Sequence, residues 1–277
     1  MTGLRINLMI VRLCVYLMLG IVSAICLFPF LWMAVSSVKP IGEMFSGRFF
    51  PMNPTFGNYI ELIVNFKFHF PFFNSLYVSA LYTIGVVFFC TLCGYGFNKY
   101  HFHGKTVLLM IVLSSMMIPF ETTMVPLYQI FRNLGWLNRH IGLIIPTMVN
   151  AFGVFFIYQY LFSISDELIE SGRIDGAGEF RIFLQIIIPT CRPAMVSLAI
   201  IFFMNSWNNY LWPLIVLRDA GKLTLAVALN SLQQSPQHTP YNLIMAGAVI
   251  SVVPLLLFFS IFQAQFINGI AAGAIKE

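Results

Sequence analysis

The chain has 277 residues, of which 59% are hydrophobic and only 9% charged, with a formal net charge of +5. A soluble domain carries roughly 25% charged residues, so a water-facing shell cannot be built here, and the surplus apolar surface must face a lipid bilayer. The 15 Lys and Arg stand singly, without a basic stripe, which excludes a nucleic-acid surface.

Apolar runs nearly free of charge predict an all-α membrane protein, one domain over 1–277 with six spans. The spans fall at approximately 13–35, 72–97, 106–127, 141–163, 193–216 and 243–267. Runs near 25 residues, at ~1.5 Å per residue, cross a ~30 Å hydrocarbon core with some tilt. In the first, Phe28, Phe30, Leu31 and Trp32 stand where a cleavable signal would carry small residues, so it is expected to remain as a span. The third run, Thr106 to Phe120, is short, and the amphipathic, proline-containing stretch from Thr122 to Phe131 continues it. No run alternates in polarity, which excludes a barrel. Pro29, Pro146, Pro213 and Pro254 fall within the predicted spans, where neighbouring helices satisfy the freed backbone groups. Basic residues divide almost evenly between the two sides, so the charge rule gives no orientation.

The five cysteines, Cys14, Cys26, Cys90, Cys93 and Cys191, form no disulfide framework by count or placement. Cys90 and Cys93 make a C-x-x-C in a run without charge, histidine or a second pair, and are read as packing. His101 and His103 have no carboxylate nearby in sequence, so neither a catalytic residue nor a metal site is predicted. His103-Gly104-Lys105-Thr106 ends like a phosphate-binding loop, but Lys99 stands where that motif requires glycine. ATP and Mg2+ are therefore expected on a separate subunit.

Of ten acidic residues, five lie between Asp166 and Glu179. Ser163 or Ser165 is suited to cap a short helix there, with Asp166 and Glu167 in its first turn. Gly172, Gly176 and Gly178 are expected to break or bend the chain. Phe180, Phe183, Leu184 and Ile187 then recur at helical spacing. A helix-turn-helix with protruding Phe180 and Phe183 is predicted between the fourth and fifth spans, over approximately 164–190.

Glu170, Gly176, Ile186 and Pro189 in this loop match the spacing E-A-A-x3-G-x9-I-x-L-P. Ser171 and Gly172 replace the alanines and Ile188 the leucine. The chain thereby resembles the permease subunits of bacterial ABC importers, of the maltose-permease, carbohydrate-uptake type. Met117-Ile118-Pro119, the stretch Asn205 to Leu217, and the ending Phe266 to Lys276 are similar to the same family. The resemblance implies two cytoplasmic termini in the inner membrane and a cytoplasmic EAA loop that couples to an ATPase. It implies coupling roles for Glu170, Ser171, Gly172, Asp175, Gly176, Phe180, Phe183, Ile186 and Pro189. It also implies a second homologous permease, an ATPase dimer and an extracytoplasmic substrate-binding protein as partners.

Asn205, Asn208, Asn209 and Trp212 follow helical spacing in the predicted fifth span, with Trp207 and Tyr210 among them. Amides are costly in hydrocarbon unless paired or facing a cavity. Amides and aromatic faces together suit a sugar; hydrogen bonding between helices is the alternative. A secondary transporter, the rival function, would place ionisable residues mid-span, and none of the predicted spans carries one at its centre.

Overall fold

Thirty-six residues with no acidic side chain and a high mean hydropathy make α1, Thr2–Ser37. The computed structural model describes residues 2–234 and 239–274, with side chains for Met9, 11–233 and 239–263. The end of the carboxyl-terminal motif, 275–277, lies outside the described residues. The described residues are helical or irregular, without a strand. Their contacts divide the chain into two units, Met1–Lys67 with Leu229–Val252, and Phe68–Ala228 with Val253–Glu277.

In the first unit, the side chains of α1 from Val11 to Leu31 are exposed, as a helix in lipid requires. Cys14 and Cys26 belong to this surface. Where α1 ends the chain turns polar and buried. Asn58, on α2 (Gly57–Val64), donates its amide to the carbonyls of Ser37 and Lys39 at 2.7 and 2.9 Å. Asn242 donates to the Asn58 Oδ1 at 2.7 Å. Lys39 is 1% exposed; its ammonium donates to the Arg48 carbonyl at 2.7 Å and sits 4.8 Å from the Trp32 ring centre. A buried cation needs such compensation.

The second unit is organised around α3, His69–Lys99, packed against α7 (Ala151–Tyr160) and α11 (Arg192–Trp207). Val86, Cys90, Val154, Ile157, Leu198 and Phe202 fill the centre. Small residues let the helices close up, as in membrane bundles generally. A Cβ on Gly153 would lie 2.7 Å from the Cys90 sulfur, and one on Gly94 would lie 2.8 Å from Ile157. Cys90 thus occupies the notch above Gly153, in keeping with its reading as packing. A second cluster joins Phe131 of α5 (Phe120–Asn133), Leu143 of α6 (Ile141–Ile144) and Trp212 of α12 (Leu211–Val216).

Several predicted spans are bent. Helix α4 (Lys105–Ser115) and α5 meet at 97°, so 106–127 is not one straight helix. Pro119 is the cause: it disfavours helix at Ile118 and itself sits extended, with φ −60° and ψ 136°, as the start of α5. The run 141–163 divides into α6 and α7, with Pro146 between them. Asn150 caps α7 by accepting from the N–H groups of Phe152 and Gly153. Among the described residues three helices are long and apolar enough to cross a membrane: Val11–Ser37, His69–Lys99 and Tyr241–Gln263, the last within the helix Tyr241–Ala274. Taking each bent pair as one span raises the number to 5.

Candidate functional site

Two places in the second unit carry the residues singled out by sequence. The first is the hairpin formed by α8, Glu167–Ile174, and α9, Glu179–Ile182. Ser165 accepts from the Glu167 N–H at 3.2 Å and so fixes the start of α8, whereas Ser163 bonds back to Tyr160. The turn between the helices is made at Gly176, with φ +76° and an N–H that donates to the Arg173 carbonyl at 3.0 Å. Gly172 does not break the chain. It lies buried inside α8, where a Cβ would come within 2.8 Å of Ile186. Beyond α9 a π-helical stretch, Phe183–Ile187, leads into α10, Ile188–Thr190.

The hairpin has an inner and an outer side. Ile169, Ile182, Phe183 and Ile187 are buried on the inner side. Phe183, expected to protrude, instead lies against Tyr95 and Phe88, with ring centres at 5.8 and 5.9 Å. The π-helical register begins at this residue and the core takes up its ring. On the outer side Phe180 is 65% and Ile174 86% exposed. Ile174 was missed by the sequence reading, because it falls outside the motif and off the apolar repeat. Glu170, Ser171, Asp175, Gly176 and Pro189 are exposed, and Ile186 is half-buried.

Charged and phenolic groups at the end of α3 hold this hairpin. The buried Lys99 ammonium donates to the Ile164 carbonyl at 2.7 Å and to Asp166 at 2.6 Å. Arg173 donates to Glu179 at 2.8 Å, and the Tyr100 hydroxyl donates to the same carboxylate. The Lys99 partner holds Asp166 below the usual carboxylate range, and Arg173, with Tyr100, does the same for Glu179. Lowered values mean that these contacts persist at neutral pH and are lost only as pH falls below that range.

The second place is a cleft of about 330 Å³. Helix α11 ends at Trp207, and Asn208 to Tyr210 are non-helical before α12 begins. Asparagine favours such breaks, since its amide competes with the helical backbone. Asn205, Asn208, Asn209 and Trp212 therefore do not share one helical face, as their spacing had suggested. Asn205, Asn209 and Trp212 line the cleft, joined by Ser206. Asn208 and Trp207 do not; Trp207 is 2% exposed and stacks on Phe203 at 5.8 Å. Tyr82, Thr147 and Asn150 complete the polar wall, with Phe120 and Leu143 beside them. These residues were unforeseen because they come from separate segments.

Comparison with known proteins places this geometry. Residues 87–271 match the family described as binding-protein-dependent transport system inner membrane component. The arabinooligosaccharides transport system permease protein AraQ of Bacillus subtilis (strain 168) is 36% identical over 270 residues, covering 96% of each chain. The lactose transport system permease protein LacG of Rhizobium radiobacter is 30% identical over 261 residues, covering 94% of this chain and 95% of its own. A crystal structure of a bacterial ABC transporter involved in the import of the acidic polysaccharide alginate contains a chain that superposes with a TM-score of 0.84. It is 23% identical, with 93% of this chain and 96% of that one covered. Helices fit for a bilayer and a permease fold accompany these matches, and the chain belongs to the binding-protein-dependent transport system inner membrane components, permease subunits of ABC transporters rather than enzymes.

Proposed function

We propose that the chain is one permease subunit of an ATP-driven importer of a carbohydrate. The arabinooligosaccharide and lactose transport systems to which AraQ and LacG belong support the cargo class. In this reading the three long helices are joined by three broken crossings, α4 with α5, α6 with α7 and α11 with α12, to make six, and both termini are cytoplasmic. The chain pairs with a second, homologous permease, receives cargo from an extracytoplasmic binding protein, and sits on an ATPase dimer that holds ATP and Mg2+.

The observation that carries the coupling role is the two-sidedness of the hairpin. Its inner side is fixed to α3 while Ile174 and Phe180 stand in the open. Exposed apolar side chains on a rigid element are suited to a groove on a partner. Glu170, Ser171 and Asp175 border them as polar contacts, and Gly176 supplies the turn. Gly172, Phe183 and Ile186 hold the hairpin from within, and Pro189 lies just before the bend into α11.

The double substitution Ile174→Asp with Phe180→Asp tests this assignment. Losing central apolar anchors costs roughly 2 kcal/mol or more each in protein interfaces. ATP-driven uptake is expected to fall at least tenfold with unchanged amounts of the chain in the membrane. Normal uptake by that variant would remove the hairpin from the coupling path.

A further inference from the structure

The cleft at the break between α11 and α12 has a chemistry more specific than its position. Six of the nine residues lining it carry hydrogen-bonding side chains other than indole: Tyr82, Thr147, Asn150, Asn205, Ser206 and Asn209. None of the nine is charged. The Asn150 Oδ1 is engaged by the N–H groups of Phe152 and Gly153, which leaves its NH2 group as the donor available to the cleft. Among the described residues no hydrogen bond to the side chains of Asn205 or Asn209 is formed. Packing within this chain therefore does not account for two amides at the break of an apolar span, where amides are retained when they face a cavity.

Phe120 and Trp212 add an aromatic corner, with ring centres 5.8 Å apart and planes at 87°. The Trp212 indole N–H is already committed to the Gly142 carbonyl at 3.0 Å, so what this ring offers the cleft is apolar surface. A volume of about 330 Å³ lies within the range of small-molecule sites.

We infer that this cleft is a binding site for uncharged saccharide, and that it rejects phosphorylated and acidic sugars. Each sugar hydroxyl both donates and accepts, as do amides and hydroxyls, and the C–H faces of the ring match the aromatic corner. A phosphate or carboxylate accepts only and brings charge into a wall with no cation to compensate it. The inference rests on the carbohydrate reading above and narrows it. It also places a binding site in this subunit rather than wholly in its partner permease.

The test uses the intact importer complex, purified without its binding protein. Its tryptophan fluorescence is titrated with arabinotriose, lactose and, as the acidic probe, trigalacturonate. At least one neutral sugar is expected to give a saturable change that Trp212→Phe abolishes. Asn205→Ala and Asn209→Ala are each expected to weaken that binding about tenfold or more. Met204→Ala, an exposed neighbour outside the cleft, is expected to leave it unchanged. Trigalacturonate is expected to produce no saturable change. Equal binding of the acidic probe, unaltered binding in both asparagine variants, or no response to any neutral sugar would each overturn the inference. In those cases ATP-driven saccharide uptake by the same complex in proteoliposomes would still stand. Absence of uptake of every saccharide would instead overturn the proposed function.

Discussion

Gly176→Pro is expected to lower ATP-driven uptake about a hundredfold while the chain still inserts in the membrane. Gly176 holds φ +76°, a region closed to proline, whose ring fixes φ near −65°. The substitution also removes the N–H that donates to the Arg173 carbonyl at 3.0 Å. A helix-breaking proline costs about 3 kcal/mol, which is two orders of magnitude in an equilibrium. The hairpin can avoid this penalty only by redirecting α9, which carries Phe180 away from its place. Asparagine tolerates the left-handed region, and a Cβ at this position meets nothing within 4 Å. Gly176→Asn should therefore retain uptake within about threefold, its residual strain being less than 1 kcal/mol. Uptake per unit of chain in the membrane, with co-purification of the ATPase, measures both variants. Normal transport by Gly176→Pro would show that the turn plays no part in coupling.

Two glycines of α3 should respond in opposite directions to the same change. Gly94→Ala places a methyl 2.8 Å from the Ile157 Cγ2 and 3.1 Å from the Tyr158 backbone nitrogen. Overpacking of this kind costs about 1–3 kcal/mol, since the backbone of α7 cannot swing away as a side-chain tip would. Gly94→Leu should prevent α3 and α7 from closing at all. Gly96→Ala, two residues on, meets nothing within 4 Å. It should stabilise by about 0.5–1 kcal/mol through the helix preference of alanine over glycine. The readout is the apparent unfolding temperature in detergent, expected to fall several degrees for Gly94→Ala and to hold or rise for Gly96→Ala. Adding Ile157→Ala to Gly94→Ala should recover part of the loss. Equal behaviour of the two alanine variants would contradict the close α3–α7 approach.

The sequence by itself determined the bilayer environment, the helical class and the hairpin. Long apolar runs have no other stable environment, and the spacing from Glu170 to Pro189 is local enough to be read along the chain. It also marked Asn205, Asn209 and Trp212, because polar and aromatic side chains stand out in an apolar run. Tertiary structure alone decided which of these residues meet. The break at Asn208 to Tyr210 turns Asn208 away and brings the cleft residues together from five separate helices and the segment before α7. The direction of Phe183 was likewise settled by Tyr95 and Phe88 on α3, partners far distant in sequence. The burial of Lys39 depended on the Arg48 carbonyl and the Trp32 ring. Periodicity records which side chains share a face of an ideal helix. Where proline, asparagine or a π-helical turn changes the register, only packing against distant segments decides which way each side chain points.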